Sequence, residues 1–394
     1  MSAAPWLTVI GIGEDGPAGL APAARALVEN AEVLVGGERH LGLVEAAAER
    51  HLWPSPFSAA RVLLEGLRGR PVVVLASGDP MWFGIGATLA RWFPGEIAVL
   101  PHPGAFSLAA SRLAWPLAEC LCLTVHGRPL ESLSLHLQPG RRLLVLGEDG
   151  TSPGRIRALL AERGFAASRV VVLERLGGPG ERVRDTGEGR TDDLVTIAVE
   201  VRADPGTRPL PLVPGLPDDA FIHDGQLTKR EIRAVTLSAL GPLPGQMLWD
   251  VGAGCGSVAI EWMRAGGVAV ALEPRPERCA RIARNAAILG VPGLEVIGAA
   301  APAGLPAEGT PDAIFVGGGI SAPGLLAACW DRLAAGGRLV ANAVTAEGEA
   351  ALLAHHAAQG GTLTRLAVSR LAPVGGFQCW HPAMPVTQYA GVKA

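Results

Sequence analysis

Lysine is nearly absent from this 394-residue chain, which contains only Lys229 and Lys393. Arginine supplies almost all of the positive charge, and the net charge at pH 7 is only −3. A protein that binds nucleic acid needs a basic surface to neutralise phosphates, and neither half of this chain carries an excess of basic residues. We therefore expect no nucleic-acid partner.

Cysteine is scarce and has no metal-binding pattern. The six cysteines form no C-x-x-C pair and show no ligand spacing, so we expect neither a zinc site nor another metal centre. They are Cys120, Cys122, Cys255, Cys279, Cys329 and Cys379.

Long apolar runs are missing as well. Residues 313–330 carry no charge, but three glycines and Pro323 divide them into strand, loop and helix. No basic residue precedes Arg25, so no export signal is recognised. With 49% hydrophobic and 18% charged residues, the chain can bury large cores, and its length predicts at least two domains. We expect a soluble, cytoplasmic protein that has no membrane contact.

The most informative stretch is Leu-Trp-Asp-Val-Gly-Ala-Gly-Cys-Gly at residues 248–256. An apolar strand, a turn with three glycines and a helix beginning at Ser257 predict a ligand-binding turn, because glycine lets the backbone approach a ligand closely. A second apolar strand ends in Glu273, where an acid commonly binds a ribose diol. Together these residues predict a nucleoside pocket. Asp250 before the turn suits a cationic amino-acid group better than a pyrophosphate.

This pattern resembles the first motif of the class I methyltransferases, D-x-G-x-G-x-G. The resemblance implies an α/β fold, S-adenosylmethionine as the cofactor, and a set of cofactor contacts. That set comprises Asp250, Gly252, Ala253, Gly254, Cys255, Gly256 and Glu273.

The first half of the chain also begins with a strand and a glycine turn, Gly-Ile-Gly-Glu-Asp-Gly at residues 11–16. Its G-x-G-x-x-G spacing keeps an NAD-dependent oxidoreductase open as an alternative. Two features oppose that interpretation. Glu14 and Asp15 would repel a pyrophosphate at a helix N-terminus, and Glu32 precedes the next strand instead of ending it.

Further landmarks follow in the first half: Ser-Gly-Asp-Pro at residues 77–80, Pro-Gly-Ala-Phe-Ser at 103–107, and Gly127 with Arg128. In this order they resemble the tetrapyrrole methylases of cobalamin biosynthesis. The resemblance implies two α/β lobes with S-adenosylmethionine between them, contacted by Gly11, Gly78, Asp79, Phe106 and Ser107. The alternative is that Asp79 caps a helix that begins near Met81.

The second half resembles, in its details, the decarboxylating methyltransferases of the same pathway. Thr228 and Glu231 form a capping-box pattern before a predicted helix. That family has a threonine-capped helix before its first motif, so the resemblance implies Thr228 as a cofactor contact. Residues 316–319 match a glycine-rich loop after the fourth strand. Ala300 and Ala301 stand where that family contacts the adenine, although the acid usually found there is missing. Residues 221–227 are expected to fold over the cofactor, and residues 362–371 and 386–390 to form a closing β-hairpin.

A proline-rich segment separates the two halves. Five prolines within residues 203–217 predict a stiff, extended connector. We therefore expect a tetrapyrrole methylase domain at residues 1–202, this linker, and a class I methyltransferase and decarboxylase domain at residues 218–394.

The two resemblances together imply a bifunctional methyltransferase of cobalamin biosynthesis and corrin metabolism. Its reaction would methylate a precorrin at C5 in the first half and at C15 in the second, with decarboxylation of an acetate side chain, giving precorrin-8. One S-adenosylmethionine would bind per domain, and homo-oligomers are expected. The alternatives are a single-site methyltransferase fused to a non-catalytic tetrapyrrole-binding domain, an NAD-dependent oxidoreductase, or a non-catalytic corrinoid carrier.

Methyl transfer to a carbon needs alignment and exclusion of water more than a nucleophilic residue. No catalytic triad is found, and no catalytic acid or base is assigned. The carboxylates of the substrate call for arginine, and Arg128, Arg230 and Arg370 are the candidates.

Overall fold

The computed structural model describes residues 5–185 and 189–394. The chain divides into two compact units, one comprising Met1–Leu130 and Gln138–Thr207, the other Glu131–Leu137 and Arg208–Ala394. The two are called unit 1 and unit 2 below.

Unit 1 begins with a lobe built on a parallel sheet in the order β3-β2-β4-β1-β5. β4 is a run of β-branched and aliphatic residues that is buried on both faces, as expected for a central parallel strand. The elements of this first lobe are β1 (Leu7–Ile12), α1 (Pro22–Glu29), β2 (Val33–Gly36), α2 (Glu38–Gly42), β3 (Glu49–Leu52), α3 (Ala60–Gly66), β4 (Val72–Ser77), α4 (Ile85–Trp92) and β5 (Ile97–Leu100), with 3₁₀ turns at Gly16–Gly19 and Phe57–Ala59.

The second lobe of unit 1 contains a mixed sheet in the order β6-β7-β10-β8-β9. β6 and β7 run parallel, and the other neighbours are antiparallel. Its elements are α5 (Ala105–Leu113), β6 (Cys120–Thr124), β7 (Arg142–Leu146), α6 (Ser152–Glu162), β8 (Arg169–Glu174), β9 (Arg182–Arg184) and β10 (Val195–Glu200), with a 3₁₀ segment at Leu117–Glu119. A second 3₁₀ segment, Leu130–His136, belongs to unit 2 from Glu131 onward.

Unit 2 has a sheet in the order β13-β12-β11-β14-β15-β19-β16, parallel up to β15 and antiparallel at β19 and β16. Two buried clusters cover its faces. The elements are a 3₁₀ turn at Asp218–Ala220, α7 (Arg230–Leu240), β11 (Met247–Val251), α8 (Ser257–Arg264), β12 (Val268–Leu272), α9 (Pro276–Ile288), β13 (Glu295–Ile297), β14 (Ala313–Val316), α10 (Leu325–Arg332), β15 (Arg338–Ala343), α11 (Ala346–Gln359), β16 (Thr362–Leu366), β17 (Ser369–Val374), β18 (Phe377–Pro382) and β19 (Val386–Val392).

The predicted fold class is confirmed: a two-lobed α/β unit is followed by a class I, Rossmann-like unit with an antiparallel finish. Within residues 5–185 and 189–394, no helix is both long enough and apolar enough to span a bilayer.

The proline-rich segment is not a free connector. The Asp204 carboxylate accepts hydrogen bonds from the N–H groups of Ala166 and Ala167 in unit 1. In unit 2, Arg264 donates to the carbonyl of Pro211, and Leu216 is buried. The division between the units falls after Thr207, inside the segment that the sequence predicts as linker.

The expected capping box at Thr228 is wrong. α7 begins at Arg230, and its N-cap residue Lys229 makes no side-chain cap. The carboxylate of Glu231 pairs with Arg370 instead of the helix terminus, and the Thr228 carbonyl accepts a hydrogen bond from Arg233.

The closing hairpin is partly wrong. β16 pairs with β19 as expected, but β17 leaves this sheet and forms a separate ribbon with β18, turning at Gly375 and Gly376. The ribbon exposes Phe377 and Trp380.

Candidate functional site

A cavity of about 620 Å³ opens in unit 2 at the carboxyl ends of β11, β12 and β14. This is the edge at which open parallel sheets bind their ligands. Seven of the predicted contacts line it: Thr228, Gly252, Ala253, Gly254, Glu273, Ala300 and Ala301. The glycine loop after β14 lines it too, through Gly317, Gly318 and Gly319.

Glu273 lies at the end of β12 and is 3% exposed. Its Oε2 accepts the N–H of Gly254 at 2.9 Å, and its Oε1 accepts the N–H of Arg275 at 3.2 Å. Each carboxylate oxygen has further lone pairs, so the group is fixed in place and can still accept two hydroxyl groups. This geometry suits the diol of a ribose.

The three glycines of the turn have different roles. All of them have positive φ, at 71°, 63° and 80° for Gly252, Gly254 and Gly256. A Cβ on Gly252 would lie 2.7 Å from backbone atoms of Gly318, and one on Gly256 would lie 2.9 Å from Ile282. A Cβ on Gly254 meets only the Gln226 carbonyl, at 3.6 Å. Gly252 therefore serves loop packing as well as ligand access, and Gly256 serves packing.

Asp250 lies behind the cavity and does not line it. It is 1% exposed, its Oδ2 accepts the N–H of Ala259 at 3.0 Å, and its Oδ1 has no partner among the described residues. Burial raises the pKa of this carboxyl from 3.8 to about 7, the Ala259 N–H opposes the rise, and the charge of Glu273 adds to it. The predicted contact with a cationic group stays a prediction, supported by the unpaired Oδ1.

Cys255 does not line the cavity either. Its side chain is 1% exposed in the unit 2 core, and its carbonyl accepts a hydrogen bond from Asn285. Cys255 and Gly256 as cofactor contacts stay predictions.

The segment at residues 221–227 does reach the cavity, through Gly225, Gln226 and Leu227. Asn285 holds it, since its side chain both donates to and accepts from the backbone of Ile222 at 2.9 Å. Asp224 binds Arg278 and Arg281, both at 2.9 Å. The bond to Arg281, then that to Arg278, lowers the pKa of the Asp224 carboxyl against the effect of desolvation.

The arginines of α9 divide into two pairs. The side chains of Arg278 and Arg281 are only 14% and 19% exposed because they pair with Asp224, whereas Arg275 and Arg284 are exposed.

A buried ion pair holds the chain on either side of this segment. Arg233 and Glu261 are 0% and 3% exposed at their side chains, and Arg233 also donates to the carbonyls of Leu216 and Thr228. Glu261 accepts the N–H groups of Gly215 and Leu216. Sequence reasoning missed this pair, although a charged residue at an apolar helical position in both α7 and α8 was a usable signal.

In unit 1 the end of β1 and the loops after β4 and β5 meet at the predicted glycines. A Cβ on Gly11 would lie 1.8 Å from the Gly78 carbonyl oxygen, and one on Gly78 would lie 2.6 Å from the Cα of Gly104. The Gly78 carbonyl accepts the N–H of His102 at 3.1 Å. Gly11 and Gly78 are thus required for the loops to touch.

Asp79 accepts the N–H of Met81 at 2.9 Å, but the helix expected near Met81 begins only at Ile85. Phe106 and Ser107 lie in the first turn of α5. Phe106 is buried beneath the rings of Trp82 and Phe83, whereas Ser107 is exposed. As cofactor contacts these three residues stay predictions.

The turn at residues 11–16 does not end in an α-helix. It continues into the 3₁₀ turn Gly16–Gly19, and α1 starts only at Pro22. The Glu14 side chain is 6% exposed and pairs with Arg39 of the first lobe and with Arg175 of the second, the latter at 2.8 Å. An acid held in this position leaves no anion site at the turn.

Next to this pair lies a polar cluster that sequence reasoning missed. Arg39 and His40 both bind the hydroxyl of Ser77 at 2.8 Å. Burial, followed by the charge of Arg39, lowers the pKa of His40 to about 4, so its imidazole is neutral at pH 7. The polar residues that follow β2 in the sequence could have indicated this cluster.

The three arginines predicted to bind the carboxylates of the substrate lie in different places. Arg370 lines the unit 2 cavity, whereas Arg230 donates to the Gly215 carbonyl and does not line it. Arg128 lies in unit 1 with its guanidinium 5.2 Å from the centre of the Phe83 ring. Across the described parts of the chain, no group of three or more His, Cys, Asp or Glu side chains could hold a metal ion.

The comparisons with known proteins agree with this geometry. Residues 7–190 match the family described as Tetrapyrrole (Corrin/Porphyrin) Methylases, and residues 219–393 match the Precorrin methyltransferase domain. A precorrin-6Y C(5,15)-methyltransferase [decarboxylating] from Sinorhizobium sp. is 52% identical, over 99% of this chain and 97% of the relative. The chain belongs to the precorrin-6Y C(5,15)-methyltransferase (decarboxylating) family.

Two further curated proteins are similar to this chain. The Mycobacterium tuberculosis precorrin-6Y C(5,15)-methyltransferase [decarboxylating] is 42% identical over 98% of this chain and its own full length. The cobalt-precorrin-7 C(5)-methyltransferase of Salmonella typhimurium is 30% identical over 45% of this chain and 88% of its own.

The expected family, enzyme class and role in cobalamin biosynthesis are confirmed. The chain is a methyltransferase, and S-adenosylmethionine as the methyl donor follows from the family. Neither the oxidoreductase nor the fusion with a non-catalytic domain is supported.

Proposed function

We propose that the two units divide the family reaction, each with its own S-adenosylmethionine. Unit 1 methylates C5 of the precorrin. Unit 2 methylates C15 and removes CO₂ from the acetate side chain. The observation that carries the proposal is the cavity of unit 2, in which the predicted nucleoside contacts meet around Glu273.

The residues of unit 2 fit the cofactor. Glu273 offers acceptors for a ribose diol, and the backbone beside Ala300 and Ala301 lines the region beyond it. The unpaired Oδ1 of Asp250 is a buried acceptor without a donor, an arrangement that costs free energy unless a ligand supplies one.

For unit 1 the support is the meeting of Gly11, Gly78 and the loop at His102 at one edge of the parallel sheet. The Salmonella relative is named as a C(5)-methyltransferase and matches less than half of this chain. A C5 activity is therefore compatible with a single unit.

S-adenosylmethionine supplies an electrophilic methyl group when it is bound. The chain aligns the donor with the ring carbon and excludes water. In unit 2, Asn285 and Asp224 hold the segment that ends at Gly225, Gln226 and Leu227 against the cavity, which favours a dry site. The conjugated ring can accept the electron pair that CO₂ leaves behind, so the decarboxylation needs no second cofactor.

The test is the stoichiometry of cofactor binding. Isothermal titration of the full chain with S-adenosylmethionine should give two sites, and Glu273→Ala should remove one of them. Losing hydrogen bonds to a charged acceptor weakens binding roughly 10- to 100-fold. Mass spectrometry should then find a product with one added methyl group and the acetate retained.

The control for Glu273→Ala is Glu277→Ala, which removes an acid from the first turn of α9, outside the cavity lining. It should leave both sites intact. A wild-type chain that binds only one S-adenosylmethionine contradicts the two-site proposal.

A cytoplasmic location and a homo-oligomeric assembly also belong to this proposal, on the strength of the family resemblance. Analytical ultracentrifugation of the full chain tests the assembly.

A further inference from the structure

The cavity of unit 2 extends well beyond the nucleoside contacts. Its outer half is formed by the start of α7, the end of β15, and the strand ends around the base of the β17–β18 ribbon. None of the predicted cofactor contacts except Thr228 belongs to this part, and the family motifs do not explain it.

The wall of the outer half is apolar. Val344, Leu366, Val368 and Met384 line it, and Val344 and Met384 are 49% and 71% exposed. Single exposed apolar side chains are common, but several that face one concavity mark a binding surface. A flat, apolar ring would cover them.

Two cations flank this wall. Arg370 pairs there with Glu231, and the side chains of the two residues are 50% and 46% exposed. Lys229, one of only two lysines in the chain, also lines the cavity and has no acidic partner among the described residues. The outer half thus combines an apolar wall with one free and one weakly engaged cation.

The floor of this region is fixed. Asn342 lines the cavity, donates to the Thr236 hydroxyl at 2.9 Å, and accepts from Gln388 at 2.9 Å. Gln388 itself donates to Thr236 at 3.0 Å. Asn342, Thr236 and Gln388 thus satisfy one another's hydrogen bonds. The charged side chains that remain able to exchange partners are those beside the apolar wall, Arg370, Glu231 and Lys229.

We propose that the outer half binds the precorrin in unit 2, with its carboxylates on Arg370 and Lys229, and that Glu231 is the counter-ion that a substrate carboxylate displaces. This inference rests on the assignment of the C15 reaction to unit 2. An exposed ion pair is weak, so the exchange costs little, while a planar guanidinium can take the incoming carboxylate in a bidentate fashion.

Displacement predicts opposite effects for the two partners of the pair. Arg370→Gln removes the anchor and should raise KM for the precorrin about 10- to 100-fold. Glu231→Gln removes the competitor and should lower KM. If the pair only braced the ribbon, both variants would change KM in the same direction or leave it unchanged.

The experiment measures C15 methylation and CO₂ release by the full chain at varied precorrin, together with S-adenosylmethionine affinity by titration. Lys229→Gln should also raise KM, by less than Arg370→Gln does. The matched control is Arg365→Gln, because Arg365 of β16 pairs with Glu349 of α11 and lies outside the cavity lining.

C5 methylation by unit 1 of the same chain is the internal reference for the amount of active protein, and an unchanged S-adenosylmethionine affinity of unit 2 shows that unit 2 is folded. An unchanged KM in Arg370→Gln, or a raised KM in Glu231→Gln, overturns the inference. A wild-type unit 2 that neither methylates C15 nor releases CO₂ overturns the assignment of the reaction instead, so the two failures are distinguishable.

Discussion

In each unit the first strand runs into a glycine turn, yet the two turns are built for different purposes. In unit 2 the turn leads directly into α8, all three glycines have positive φ, and Gly254 faces open cavity. In unit 1 the turn leads into a 3₁₀ segment, Gly11 touches Gly78, and Glu14 fills the space between two arginines. The G-x-G-x-x-G spacing is met in unit 1, where the geometry gives no anion site.

The ion pairs near the two turns differ in the same way. Glu14 is held by Arg39 and Arg175, whose side chains are 37% and 45% exposed, whereas Arg233 and Glu261 are almost fully buried. A glycine spacing therefore reports a tight turn. What the turn binds depends on the element that follows it and on the charges beside it.

The largest expected effect separates the two ion pairs. Arg233→Ala should destabilise unit 2 by about 3–5 kcal/mol, because it leaves the Glu261 carboxylate buried without its partner. Arg39→Ala should cost unit 1 only about 0–1 kcal/mol, since Arg39 is partly exposed and Arg175 still binds Glu14. Hydrogen exchange of peptides from β11 and β4 measures each unit separately. Equal losses of stability in Arg233→Ala and Arg39→Ala would contradict the difference between the two ion pairs.

The next effect in size is the difference in stability between alanine substitutions at Gly11 and at Gly254. Gly11→Ala forces a Cβ against a backbone carbonyl that cannot move, which should destabilise unit 1 by about 3 kcal/mol. Gly254→Ala meets open space and should cost about 1–2 kcal/mol, from its positive φ alone. Gly254→Ala should in addition weaken S-adenosylmethionine binding. Denaturant unfolding measures the loss of stability in both variants. Gly140→Ala is the control, because Gly140 also has a positive φ and open space around it.

Measured per pH unit, the smallest effect is the pH dependence of the stability of unit 2. Folded Asp250 keeps its proton up to about pH 7, whereas the unfolded chain releases it near 3.8. Between these values the folded state binds more protons, so unfolding becomes easier as pH rises, by up to about 1.4 kcal/mol per pH unit. Asp250→Asn should flatten that slope in unit 2. A variant with the wild-type slope would show that Asp250 is ionised when folded.

Much of the fold was predictable, because strong local patterns agree with it. One example is the β-branched run of β4. Another is Thr345 before α11, whose hydroxyl accepts the N–H of Gly348 and caps the helix. Glu273 was predictable because its position after a strand fixes it at the sheet edge. Family resemblance then supplied the substrate class, which no local pattern contains.

The rest depended on tertiary partners that a linear pattern does not specify. Glu231 matched a capping box, but Arg370, far along the chain, binds it instead. The strand at residues 369–374 leaves the main sheet because β18 offers it a complete ladder. Arg233 and Asn285 hold loops that are remote in sequence, so their roles became visible only in three dimensions.

The anchoring of residues 211–216 in unit 2 decides where this polypeptide can be dissected. A fragment starting at Asp218 would strip Glu261 of two backbone donors and Arg233 of a carbonyl acceptor, leaving opposed charges under-coordinated in an apolar interior. A fragment starting at Arg208 retains all three bonds. Expression trials of isolated unit 2 should therefore use a fragment that includes the prolines after Arg208. The segment that resembles a linker in the sequence is packed against the core of unit 2.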